Sequence, residues 1–154
     1  MTSPLTVAPA LPPHWPVLER LVEQSVREGY GFLSRLRADY EDGTERYERP
    51  GETLLGVYRA GDLLAIGALT RDPYTAEPGV GRIRRVYVRG DARRRGAATA
   101  LARSLMAAAA EHFHTVTLRS VMEDATRLYE SVGFDRVIDY PNVTHVWTVP
   151  RRPA

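Results

Sequence analysis

A chain of 154 residues is long enough for one core and is read as a single domain, with residues 1–13 and 150–154 expected to be loose ends. Apolar residues at 44% and charged residues at 26% fit a folded protein, and neither a membrane-length apolar run nor a basic, apolar leader is present, so a cytoplasmic protein without a membrane partner is expected. The absence of cysteine excludes disulfides, thiolate metal sites and a cysteine acyl-enzyme, while a net charge of +2, with all 21 basic residues arginine, is too small to mark a nucleic-acid partner.

The proline-rich start holds one candidate strand, Leu5–Ala8. From Trp15, the residues Leu18, Leu21, Val22 and Val26 recur at helical spacing, with Pro16 suited to a first turn and Gly29 to the end. A second helix is predicted from Phe32 to Tyr40, stopped by Asp42 and Gly43. Thr53–Tyr58 and Leu63–Leu69 read as strands of a hairpin turning at Ala60, Gly61 and Asp62. Asp72–Gly81 is predicted to be a loop. The strand Arg82–Val88 follows, with Ile83, Arg85 and Tyr87 expected on one face and Arg84, Val86 and Val88 on the other. Ala97–His112 has very high helix propensity. Thr115–Val121 reads as a strand, Ala125–Val132 as a short helix closed by Gly133, and Val143–Val149 as the last strand.

The segment Arg82–Ala100 carries the chemistry. A strand enters a small-residue turn that opens directly into a long helix, so the first helical N–H groups lack carbonyl partners and point into the turn. That arrangement suits an anion such as a pyrophosphate, and Gly96 lets the backbone come close to it. Seven arginines, Arg82, Arg84, Arg85, Arg89, Arg93, Arg94 and Arg95, lie within fourteen residues of this turn, and guanidinium groups bind phosphate through paired hydrogen bonds.

Two motifs resemble those of the GCN5-related N-acetyltransferases. Arg93-Arg94-Arg95-Gly96-Ala97-Ala98 is similar to the family's Gln/Arg-x-x-Gly-x-Gly/Ala motif, with Val86-Tyr87-Val88 at the usual distance before it. Ala125-x-x-Leu128-Tyr129-x-x-x-Gly133-Phe134 is similar to the helix that follows the next strand in that family. The resemblance implies an α/β fold with a mixed, mostly antiparallel central sheet flanked by helices and splayed at an acetyl-CoA cleft. It implies acetyl-CoA as co-substrate, without a metal, and direct transfer of the acetyl group to an amine of a small molecule or peptide. It places the pyrophosphate on Arg93, Arg94, Arg95, Gly96, Ala97, Ala98 and Thr99, and the pantetheine and acetyl carbonyl on the backbone of Val86, Tyr87 and Val88. Tyr129 inherits the role of acid for the departing thiolate, which a phenol of pKa about 10 can fill. Dimers are common among such proteins, which leaves a homodimer open.

The chain departs from the family in two places. Met122 stands where many relatives carry asparagine, and Arg82 where similar strands begin with a glutamate proposed as base. The base could instead be water, Glu77, Glu123, Asp124 or His145, and a non-catalytic acyl-CoA-binding domain is the alternative reading. Tyr30, Phe32, Arg35, Asp72 and Tyr74 are candidates for the acceptor side by position. Arg82 and Arg84 would favour an acceptor with a carboxylate if they line its pocket. The pair His112 and His114 lacks the further neighbours a metal site needs.

Overall fold

The computed structural model describes residues 3–93 and 96–151. Its centre is a seven-stranded sheet in the order β1-β2-β3-β4-β5-β7-β6. The strands are β1 (Leu5–Pro9), β2 (Thr53–Arg59), β3 (Asp62–Arg71), β4 (Val80–Val88), β5 (Thr115–Leu118), β6 (Asp135–Arg136) and β7 (His145–Thr148). Only β4 and β5 run parallel; every other neighbouring pair is antiparallel. This is the mixed, mostly antiparallel sheet expected. Strand β1 falls inside the segment expected to be loose. It is held as an edge strand along the whole of its length, from Leu5 opposite Arg59 to Pro9 opposite Leu55.

The β2–β3 hairpin forms where the sequence placed it. Ala60 and Gly61 both take positive φ, 51° and 82°, as a two-residue turn between right-twisted strands requires.

Helices cover both faces. On one side lie α1 (Trp15–Arg27) and α2 (Phe32–Asp42), whose Leu18, Leu21, Leu33 and Leu36 bury against Leu54, Ile66, Ala68 and Tyr87 of the sheet. On the other lies α3 (Ala97–Ala110), whose Ala97, Leu101, Ala102, Leu105, Met106 and Ala109 pack on Val57, Ala65, Leu69, Ile83 and Val116. The short helix α4 (Glu123–Ser131) joins this second core through Tyr129. It starts two residues earlier than the sequence suggested, because Glu123 and Asp124 complement the positive end of the helix dipole. Strand β5 ends three residues earlier than expected, where its ladder with β7 runs out at Leu118. Among the described residues, no helix is long and apolar enough to cross a membrane.

One expectation about β4 is wrong in an informative way. Ile83 sits in the α3-side core, whereas Arg85 reaches Asp39 of α2 at 3.6 Å and Tyr87 lies in the α1–α2 core. The cause is a β-bulge. Arg84 pairs with Ala68 but Tyr87 with Ile66, so β4 carries one residue more than β3 over this stretch, and Arg85 takes φ 57°. An inserted residue reverses the alternation, which moves Val86 and Val88 to the same core as Ile83.

Opposite the bulge lies Gly67. A Cβ there would stand 3.0 Å from Leu101, 3.1 Å from Leu105 and 3.2 Å from Val86, so the missing side chain lets α3 close on the sheet. Gly67→Val should overpack this contact by about 1–3 kcal/mol. At about 2–4 °C per kcal/mol for a chain of this size, thermal denaturation should show a drop of several degrees.

Candidate active site

The sheet opens between β4 and β5. The two strands pair only from Val80 opposite Thr115 to Arg82 opposite Thr117, so Ile83–Val88 has a partner on the β3 side alone. The bulge at Arg85 lies at the root of this gap and adds twist there. Beyond the bulge, the Arg89 N–H donates to Leu64 O at 2.8 Å. Because backbone groups alternate along an antiparallel ladder, those of Tyr87 then face β3, and those of Val86 and Val88 face the gap. The Val88 carbonyl does so, accepting from Arg93 Nε at 3.1 Å. Of the three residues expected to offer backbone groups, Val86 and Val88 therefore present them to the opening and Tyr87 presents its own to β3.

At the end of β4 the chain makes a single 3-10 turn, Gly90–Ala92, and reaches Gly96, which precedes α3 with φ 85°. That left-handed conformation is one glycine adopts freely. No side chain caps α3, and the first bond into its start is Ala100 N–H to Gly96 O at 3.0 Å. The N–H groups of Ala97, Ala98 and Thr99 have no acceptor among the described residues, and they gather at the positive end of the helix dipole. Among the described residues, a Cβ on Gly96 would have only Leu5 Cδ1 near it, at 3.9 Å. Arg94 and Arg95 lie outside the described residues.

Arg93 is committed elsewhere. Its guanidinium forms a two-pronged pair with Glu28, at 2.9 and 2.8 Å, and its Cζ lies 5.6 Å from the centre of the Tyr87 ring. Glu28 also accepts from the Tyr87 hydroxyl, and the hydrogen bonds from Arg93 and Tyr87 hold its carboxyl below the usual range. Gln24 Oε1, one turn earlier on α1, accepts from the Tyr87 hydroxyl at 3.0 Å and from Gly90 N–H at 2.9 Å. The end of α1 is thus tied to both β4 and the phosphate turn. Sequence reasoning missed Gln24 and Glu28, which lie 59 to 65 residues from the Tyr87 and Arg93 groups they bind and carry no local signal.

Tyr129 lies in the apolar cluster that Val86 and Val88 also pack against. Helix α4 closes through Phe134 N–H to Tyr129 O at 3.0 Å, with Gly133 at φ 119°, which sets the Phe134 ring edge-on to Tyr129 at 5.7 Å. Tyr129 is 6% exposed, and its hydroxyl makes no hydrogen bond among the described residues. Burial pushes the phenol well above its ordinary pKa.

The other candidates lie between α1 and α2, on α2 and in the loop after β3. Tyr30 sits between α1 and α2, its hydroxyl 4.0 Å from the sulfur of Met122, the residue preceding α4. Phe32 packs between Tyr30 and Tyr87, at 5.8 and 6.3 Å. Arg35 lies on α2. Asp72 is buried and accepts from Thr117 Oγ1 at 2.8 Å and from Tyr74 N–H at 2.9 Å, so it anchors its loop. Tyr74 is exposed and stacks on Arg82, whose Cζ lies 4.7 Å from the ring centre.

Of the candidate bases, Glu77 lies 3.8 Å from His114 and Glu123 pairs with Arg127, both at the surface. Asp124 is exposed in the first turn of α4. His145 is 1% exposed. Its Nδ1 is bonded to Thr144 Oγ1 at 2.9 Å, and its Nε2 lies 3.5 Å from Glu130 without a hydrogen bond. His112 packs edge-on against Phe113, and His114 bonds Thr115 Oγ1 at 2.8 Å, so the two rings do not converge on one point.

A mixed sheet split beside a helix start without a side-chain cap is the arrangement that the resemblance to the GCN5-related N-acetyltransferases implied. Residues 18–134 match the model of the acetyltransferase (GNAT) family, and the chain belongs to that family. Solved structures agree in fold. A protein of Exiguobacterium sp. 255-15 assigned as an acetyltransferase is 25% identical, with a TM-score of 0.80 over 94% of this chain and 93% of that one. A GCN5-related N-acetyltransferase from Kribbella flavida is 20% identical, with a TM-score of 0.70 over 92% and 95%. A Salmonella typhimurium protein assigned as an acetyltransferase and solved with acetyl-CoA is 14% identical, with a TM-score of 0.72 over 97% and 96%. No curated protein matches the sequence.

Proposed function

We propose that this protein transfers an acetyl group from acetyl-CoA directly to a primary amine of a small molecule or peptide. The observation that carries the reading is the uncapped start of α3 at Gly96, set beside the one stretch of β4 that lacks a second neighbour. In this reading the N–H groups of Ala97, Ala98 and Thr99 hold the pyrophosphate, with Arg94 and Arg95 supplying charge from the preceding turn. Arg93, bound to Glu28, positions the turn instead of gripping phosphate.

The exposed edge of β4 then receives the pantetheine arm, Val88 pairing with it and the Val86 N–H donating to the acetyl carbonyl. As the amine attacks the thioester carbon, negative charge grows on that oxygen, and a fixed N–H stabilises it more than it stabilises the starting carbonyl. Tyr129 gives its proton to the sulfur as the carbon–sulfur bond breaks. The amine sheds its own proton in the exchange, leaving an amide and free coenzyme A. An alkyl amine of pKa about 10.4 is neutral in only about one molecule per thousand at pH 7.4, so rates should climb with pH through the neutral range.

Calorimetry and thiol release test the reading. Acetyl-CoA should bind with a measurable heat and raise the melting temperature by mass action, and a panel of primary amines should include some that release coenzyme A. Binding without release for any amine would favour the non-catalytic acyl-CoA-binding alternative. Absence of binding would remove both readings.

A further inference from the structure

The side of the gap that the coenzyme leaves open is lined with arginine, an observation that bears on the acceptor and rests on the acetyltransferase reading above. With pyrophosphate at the start of α3, the coenzyme occupies the opening on the α3 face. The amine must then reach the thioester from the α1–α2 face. There, β4 presents Arg84 opposite Ala68, a residue of the α1–α2 core, and Arg82 two positions earlier on the same face.

Arg82 is 6% exposed, yet it makes no ion pair with a carboxylate among the described residues. Its Nη2 donates to Asn142 O at 2.7 Å, the Tyr74 ring covers it, and its Nη1 is buried with no hydrogen-bond partner among the described residues. A buried donor left unpaired is costly, and more so for a charged group. Burial pushes the Arg82 guanidinium below its ordinary pKa, Asp72 opposing this and Arg84 and Arg119 adding to it. Both oxygens of Asp72 already accept hydrogen bonds from Thr117 and Tyr74. Arg84 and Arg119 make no ion pair among the described residues, whereas the neighbouring Arg85 has Asp39. The wall is therefore short of negative charge around a donor that is already desolvated.

We propose that the acceptor is a small primary amine bearing a carboxylate, which docks on Arg82 and Arg84 with Arg119 at the rim. The exposed Tyr74 ring swings aside to uncover Arg82 Nη1. At about 3.3 Å per residue, the Cα atoms of Arg84 and Arg82 stand roughly 7 and 13 Å along the strand from Val86. A guanidinium on that wall can hold the carboxylate while the amine of the same small molecule meets the acetyl carbon.

The test is a thiol-release assay with amino acids of increasing amine-to-carboxylate separation, each paired with its carboxamide. At least one carboxylate should exceed its carboxamide tenfold in kcat/KM. Arg84→Gln and Arg119→Gln, the two more accessible positions, should raise the KM for that acceptor severalfold and shrink the preference, without changing the acetyl-CoA Kd. Arg82→Gln should act most strongly if it folds, and the other two variants carry the test if it does not. Equal turnover of carboxylates and carboxamides overturns the inference and leaves acetyl transfer standing. A preference that survives unchanged in all folded variants overturns the assignment to these arginines. No turnover of any amine overturns this inference together with the activity on which it rests.

Discussion

Gly96→Glu should weaken acetyl-CoA binding more than a hundredfold in calorimetry while leaving a folded protein. Two effects separate cleanly at this position. The first is strain, since Gly96 has φ 85° and an L-residue in the left-handed region costs about 1–2 kcal/mol. For a chain of this length that is a loss of several degrees in melting temperature, which circular dichroism would record. The second is specific to the ligand. Among the described residues, only Leu5 Cδ1, at 3.9 Å, stands near a Cβ placed on Gly96, so a larger side chain meets little of that protein. It would instead fill the ground over the N–H groups of Ala97, Ala98 and Thr99 with a carboxylate of its own, repelling a diphosphate and competing for its donors. Gly96→Ala should keep the strain but lose binding less severely. Tight binding by folded Gly96→Glu would show that the coenzyme does not use this turn.

Tyr129→Phe should lower kcat at least tenfold and leave the acetyl-CoA Kd unchanged. The substitution removes one oxygen and keeps the ring that packs edge-on against Phe134, so the core around α4 should hold. The hydroxyl has no protein hydrogen bond to lose among the described residues. Its burial also raises the phenol's pKa, so Tyr129 stays protonated through the neutral and mildly alkaline range. Any fall in activity at moderately high pH must therefore arise from another group. Unchanged turnover in Tyr129→Phe would pass the proton to solvent and leave the tyrosine a packing residue.

Local patterns carried most of the fold. The hairpin at Ala60-Gly61, the alanine-rich α3 and the Gly133 stop after α4 each rest on a conformational preference contained within a few residues. The bulge did not show, because Arg84 and Arg85 are both polar and either can take the extra position without disturbing a hydrophobic pattern. Yet that one residue decides which side chains of β4 meet α3 and which meet α2. The motif points Arg93 at phosphate, whereas its partner Glu28 lies 65 residues away at the end of α1, where a glutamate attracts no notice. Arg119 and Asn142 became relevant only when β5 and the β6–β7 connection came alongside Arg82. Long-range pairing of charges is the part of a site that linear spacing cannot encode.

The brace made by Gln24, Glu28, Tyr87 and Arg93 joins the last turn of α1 to the bend before α3. Tyr30 and Phe32 follow directly on that turn, the Tyr30 hydroxyl facing the Met122 sulfur and Phe32 packing on Tyr87. In the proposed reading, a coenzyme that stiffens the bend would also stiffen the chain at Tyr30 and Phe32, and any coupling to an acceptor bound there would change both affinities by the same factor.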